Sequence, residues 1–150
     1  MDRDTARAIE WDCAQLLIRF YNLLDAKRYE DMANLFANDG AWVRLGEELV
    51  GPAGILNAMK ERDDWLTAHV VSNIEVKIID ADRAVTSQYV TLYRHENWKP
   101  SAGPAPVIPP MGILHHGDQL VRVDGVWKFK RKTSRAIMVN RDRITHYDKK

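Results

Sequence analysis

Thr67-Ala-His69-Val-Val-Ser-Asn73-Ile-Glu-Val-Lys-Ile78 is where the chain stops reading as helix and starts reading as sheet. Ile74, Val76 and Ile78 alternate with Glu75 and Lys77, the period-two pattern of a strand with one buried face. His69 shares parity with Val71 and Asn73, opposite to the isoleucine set. Either that set faces outward, or the strand changes face through a bulge near Asn73.

Working downstream, Asp80-Ala-Asp82-Arg83 is a turn, and Ala84 to Tyr93 returns as a second long strand with Tyr89, Thr91 and Tyr93 on one face. Residues 95–110 hold five of the six prolines and show no periodicity, a loop long enough to be a lid, a binding loop or an interface arm. A third strand starts near Met111 and runs through Val123. Asp124-Gly125 makes a tight hairpin, and Trp127-Lys-Phe129-Lys alternates onward as the fourth. The tail beyond Val139, with Arg141, Arg143, Lys149 and Lys150, reads as solvated.

Upstream the period is helical. Ala6, Ile9, Cys13, Leu16, Leu17, Phe20 and Leu24 recur at three-and-four spacing, one buried stripe on a long helix that ends at Asp25. A second helical segment spans 29–37, using Met32, Leu35 and Phe36. Asn38-Asp39-Gly40 then reads as a breaker. Ala41 to Leu45 is a short strand, and Gly51-Pro52 opens a third helix that packs through Ile55, Leu56, Met59 and Trp65. Helices first and long antiparallel strands afterwards predict an α+β fold, with helices covering one side of a curled sheet. Strong curvature leaves a concave face that helices fill only in part, and the remaining space is a natural pocket.

The 150 residues fit one domain over 1–150, and 45% apolar with 29% charged content is that of an ordinary globular protein. A net charge of +1 argues against broad attraction to nucleic acid or an anionic membrane. No apolar run reaches bilayer length, and the N-terminus lacks a secretory signal's apolar segment, so the cytoplasm is the expected compartment. Cys13, the lone cysteine, lies on the apolar stripe and reads as core packing. No compact His or Cys ligand spacing, glycine-rich phosphate loop or Gly-x-Ser-x-Gly elbow is present, so neither a metal nor a nucleotide cofactor is expected. A carboxylate, histidines, tyrosines and tryptophans around an apolar hollow suit proton transfer without a cofactor.

Asp25 sits at the edge of the buried stripe, with Tyr21 one turn above it. Its ordinary reading is a solvated helix-end carboxylate, and that of His69 a structural histidine at a strand start. An apolar cavity at a helix C-terminus would raise the Asp25 pKa, and a nearby imidazolium would oppose that. His115 and His116 are adjacent on a strand, so they face opposite sides and cannot both enter one pocket.

Four stretches in register now carry a resemblance: Phe20-Tyr21-Asn-Leu-Leu-Asp25-Ala-Lys-Arg-Tyr29, Gly51-Pro52, Thr67-Ala-His69, and Val123-Asp-Gly-Val-Trp127-Lys-Phe129. Over about 130 residues the chain resembles SnoaL-like proteins of the nuclear transport factor 2-like superfamily, the cone-shaped α+β barrel. Within it the chain is most similar to the scytalone dehydratase, bile-acid dehydratase and hexachlorocyclohexane dehydrochlorinase families. The resemblance implies that Asp25 and His69 pair, the histidine taking a proton while the aspartate orients it. It also implies that Tyr21 polarises a substrate oxygen, although the bile-acid enzyme's tyrosine stands at the position of Phe20. A second histidine is expected from His115 or His116. Phe20, Trp42, Asn73, Tyr89, Tyr93 and Trp127 are the candidate wall. The expected ligand is a small apolar, aromatic or polycyclic molecule, and a homo-oligomer (dimer or trimer) is a family expectation. The leading function is a cofactor-independent lyase of dehydratase type. The alternatives are an isomerase, a polyketide-cyclase-like enzyme, or a non-catalytic binding or assembly module such as a dioxygenase small subunit.

Overall fold

Helix α1 (Arg3–Asp25) begins where Asp2 accepts the Asp4 and Thr5 amides, a side-chain N-cap. The structure is a computed structural model and describes residues 1–143; Lys149 and Lys150, expected to be solvated, lie outside those residues. The predicted stripe is buried from Ile9 to Leu24, with Ala6 half-buried, and it also takes in Tyr21 and Leu23. The helix stops after Asp25 because Lys27 enters the left-handed region at φ 57°. The Arg28 amide then reaches back to the Leu23 carbonyl and the Lys27 amide to that of Leu24, closing the last turn. That stop leaves Asp25 at the helix end facing the sheet.

The remaining elements are α2 (Tyr29–Ala33), β1 (Phe36–Arg44), β2 (Glu47–Val50), α3 (Gly51–Lys60), β3 (Leu66–Ile78), β4 (Arg83–His95), a single 3-10 turn (Pro100–Ala102), β5 (Gly112–Val123) and β6 (Val126–Val139). The strands form one sheet in the order β2-β1-β6-β5-β4-β3, antiparallel everywhere except between β1 and β6. The sheet curls around α1, giving the expected α+β barrel. No helix among the described residues is long and apolar enough to cross a membrane.

Three local expectations change. Asn38-Asp39-Gly40 does not separate a helix from a strand. It lies inside β1, where pairing with β6 jumps from Phe36↔Phe129 to Ala41↔Arg131, so its turn tendency is absorbed as an irregularity. Gly40 is needed there, since a Cβ would come within 2.5 Å of the Phe129 carbonyl oxygen. Leu45-Gly46, both at positive φ, turns the chain into β2, which carries no apolar alternation to announce it. Trp65 lies beyond α3, and its ring stacks under the Arg94 guanidinium at 4.0 Å.

The bulge alternative for β3 holds. Its register with β4 shifts between Ser72 and Glu75, with Asn73 at φ 52°. Thr67, His69 and Val71 above the bulge and Ile74, Val76 and Ile78 below it therefore face the same concave side. The core lies between that side and α1. Phe20 meets Trp42 at 5.2 Å, Phe129 at 5.5 Å and Phe36 at 6.0 Å, all edge-on, and Trp127 joins the same cluster.

Candidate active site

Asp25 comes from the end of α1 and His69 from the upper half of β3, and the two side chains meet. The His69 Nδ1 lies 2.6 Å from Asp25 Oδ1, and the His69 backbone amide donates to Oδ2 at 2.8 Å. One carboxylate thus holds both the ring and the strand that carries it. Thr67 Oγ1 donates to Asp25 Oδ1 at 2.8 Å and accepts from Arg62 Nη2 at 3.2 Å. Arg62 also donates to the Tyr29 hydroxyl, tying the α3–β3 turn to the start of α2. Burial pushes the Asp25 pKa up, but the His69 hydrogen bond and charge, the His69 amide and the Thr67 hydroxyl outweigh it, and the net direction is down. With Nδ1–H committed to the carboxylate, His69 Nε2 is the nitrogen left with a lone pair.

Tyr21, one turn before Asp25, stacks on the His69 ring with centroids 5.1 Å apart. Its hydroxyl lies 3.2 Å from Nδ1 and 3.1 Å from Nε2 of His116, so one ring nitrogen partners it in either ring orientation. Burial, then the charges of Asp118 and Asp25, hold the Tyr21 pKa well above its usual value, so the phenol stays protonated. Burial and the charges of Lys132, His69 and His115 push His116 down to about 2, so its imidazole is neutral.

The structure therefore brings together Asp25, His69, Tyr21 and His116. His115 is a correction: it lies on the convex face, 2.9 Å from Ser87 Oγ and edge-on to Tyr89 at 5.3 Å. Tyr89 and Tyr93 are corrected with it. Tyr89 is opposite His115 and Tyr93 is opposite Ala68, both on that outer face. Asn73 is exposed because the bulge turns its side chain away from the His69 face. Phe20, Trp42 and Trp127 are core residues rather than open wall. Half-buried Val71, Leu92 and Leu114 share the concave face with His69 and His116. Leu92 is opposite His69 and Leu114 opposite Val90.

Several polar groups beside the site escaped sequence reasoning. Lys132 and Asp118 form a fully buried ion pair at 2.8 Å, and Gln88 donates to Asp118 at 2.7 Å. Asp118 shares parity with His116, and Thr67 with His69, which was a usable signal. Lys132 gave none, because simple alternation from Trp127 and Phe129 points Arg131 inward. A register shift at Gln119/Leu120 makes Lys130 the extra residue and turns Lys132 in instead. Among the described residues no group of three or more His, Cys, Asp or Glu is placed to hold a metal ion. A cavity of about 400 Å³ lies among Ala37, Ala84 and Leu120, at the opposite end of β4 from Leu92. None of the candidate site residues lines it.

Comparison with known proteins follows the same outline. A family model described as a SnoaL-like domain matches residues 6–133. No curated protein matches the chain by sequence. Solved structures similar to it include a candidate scytalone dehydratase from Novosphingobium aromaticivorans, 23% identical with a TM-score of 0.74, covering 93% of this chain and 91% of that one. A hexachlorocyclohexane dehydrochlorinase (type 2) is 16% identical with a TM-score of 0.74, covering 91% and 90%. A nuclear transport factor 2-like protein of cystatin-like fold, also from Novosphingobium aromaticivorans, is 17% identical with a TM-score of 0.72, covering 88% and 85%. At these identities the likeness is one of fold.

Proposed function

The chain belongs to the SnoaL-like domain family, and from that premise we propose that it is a lyase of the dehydratase type working by general acid–base catalysis. The observation that carries the reading is the Asp25–His69 contact at 2.6 Å, doubled by the His69 amide on the same carboxylate. A carboxylate bound to one nitrogen of an imidazole fixes the tautomer and steadies the imidazolium that forms when the other nitrogen takes a proton.

His69 Nε2 takes a proton from a substrate carbon, and the electron pair of that C–H bond becomes the new double bond. The C–O bond on the neighbouring carbon breaks, and the oxygen leaves as water with the proton that the His69 imidazolium gives back, which restores the neutral imidazole. Tyr21, held by His116, supplies a hydrogen bond to a substrate oxygen. The cycle needs no redox partner, because one proton enters His69 and one leaves the site with the oxygen. Half-buried Val71, Leu92 and Leu114 on the same concave face suit a small, mostly apolar cyclic substrate. An isomerase or a polyketide-cyclase-like enzyme would use the same proton transfers; an isomerase leaves the product mass unchanged, and substrate profiling separates ring closure from dehydration. The same reading takes the protein as cytoplasmic and as a homo-oligomer joined through the convex face, where Val70 and Met138 are exposed.

The test is Asp25→Asn and His69→Ala against a panel of cyclic hydroxy-carbonyl compounds, with circular dichroism to confirm folding. Turnover should fall by about two to four orders of magnitude, the usual contribution of a positioned acid or base. Undiminished turnover in both folded variants would falsify the assignment.

A further inference from the structure

The interior holds a charged pair for which the proposed reaction has no direct use. Lys132 and Asp118 are both fully buried, with Nζ 2.8 Å from Oδ2. Asp118 also accepts from Gln88 Nε2 at 2.7 Å and from the Thr133 amide at 3.3 Å. Burial draws the Lys132 pKa below its usual value, against the charge and hydrogen bond of Asp118, which favour the ammonium. The remaining sides of Nζ face aromatic rings, which also favour the ammonium, with centroids at 4.6 Å for Phe20, 4.8 Å for Phe129 and 5.0 Å for Tyr21. Buried ion pairs are often no more stabilising than apolar side chains of the same volume. Stability alone is therefore a weak reason for this one.

Its position suggests another. His116 and Asp118 share the concave face of β5, and Lys132 is opposite Asp118 on β6. Tyr21 is at once a ring under the ammonium and the partner of His116. The groups that face His116 are Tyr21 from α1, His69 from β3, Gln88 opposite it on β4, Asp118 on its own strand and Lys132 from β6. Asp118 is already bonded to Lys132 and Gln88, and Asp25 to His69. Among the described residues, both carboxylates of this cluster are thus engaged with other partners, and neither is bonded to His116.

We propose that Lys132 is a positioning residue that keeps His116 an uncharged hydrogen-bond partner of Tyr21, so that His69 is the one imidazole of the site that exchanges a proton. Only the last clause rests on the Asp25–His69 chemistry. The low proton affinity of His116, caused by burial first and Lys132 next, agrees with the geometry. A neutral tyrosine–histidine pair suits a hydroxyl or carbonyl oxygen of the substrate and offers no charge to a substrate carboxylate.

Nitrogen NMR of the isotopically labelled full chain tests this without reference to turnover. Between about pH 5 and pH 8, where a free histidine changes charge, His116 should stay a neutral tautomer and Lys132 should stay an ammonium. A charged His116 or an uncharged Lys132 in that range overturns the proposal, and both readings come from the wild-type protein even if a variant fails to fold. In Lys132→Gln, His116 should take up a proton within the range, and the acid limb of kcat/KM should steepen from one proton to two. Lys132→Arg should restore the neutral His116. A folded Lys132→Gln protein whose His116 remains neutral, with a one-proton limb, also overturns it. Loss of the Asp25–His69 assignment would leave the His116 and Lys132 signals where the proposal puts them, so the two failures are distinguishable.

Discussion

Thr67→Val deletes one hydroxyl from a buried position, and the surrounding contacts determine what that hydroxyl does. Thr67 Oγ1 accepts from Arg62 at 3.2 Å and lies 2.8 Å from Asp25 Oδ1, so its single proton is directed at the carboxylate. A hydrogen bond to a charged group contributes about 1.5–3 kcal/mol. The Asp25 side chain is 23% exposed, so water replaces part of what is lost, and about 1.5–2 kcal/mol is the expected destabilisation. For a chain of this length that lowers Tm by about 3–8 °C. The pH dependence separates this bond from a general packing loss. The folded Asp25 pKa is depressed, so its contribution is present above the unfolded pKa and disappears as pH falls through the folded one. The gap between Thr67→Val and wild type is accordingly full at neutral pH and closes as acid protonates Asp25. Urea unfolding from neutral into acid pH, read as a shift in midpoint at constant slope, measures the gap. Thr67→Ser should track the wild type. A gap that persists unchanged through the acid titration, or that is under about 0.5 kcal/mol at neutral pH, refutes the hydroxyl–carboxylate reasoning.

The two adjacent histidines should behave oppositely. His115→Ala, on the convex face, should change stability by no more than about 0.5 kcal/mol and leave turnover unaltered. His116→Gln should lower kcat while the far-ultraviolet dichroism is preserved; equal effects would contradict the placement of the two rings. Lys132→Ala strands a buried carboxylate and should destabilise by about 3–5 kcal/mol, whereas Lys132→Met with Asp118→Leu should be less destabilised, keeping only the cost of leaving the Gln88 and Thr133 donors without their acceptor. A double variant as unstable as the single one would show that the pair is needed for the fold itself.

Much of the fold was legible because its signals are periodic. The α1 stripe, the Asp124-Gly125 hairpin and the alternation of β3 and β4 each follow from side-chain geometry over several residues. What sequence could not show were single-residue changes of phase. The extra residue at Lys130 hides Lys132, the irregularity in β1 turns a predicted breaker into strand, and β2 is too short and polar to announce itself. Tyr89 and Tyr93 were correctly grouped on one face of β4, but alternation alone does not say which face is concave. In the site, Asp25 and His69 were visible as a pair only through family likeness, being 44 residues apart. Arg143 shows the limit at the C-terminal end. The local pattern reads it as solvated, yet it is half-buried and donates to the Arg94 carbonyl at 2.8 Å, a contact that pattern does not encode.

Asn73 acts as a gear change in the middle of β3. Above it the strand is timed to deliver Thr67 and His69 to Asp25; below it the timing is reset so that Ile74, Val76 and Ile78 reach the core. Were Asn73 to pair as an ordinary strand residue, with no bulge, the two halves would point to opposite faces, and no rotation of the strand could then serve both ends. Substitutions above the joint can therefore reshape the polar end without disturbing the packing below, and the reverse also holds.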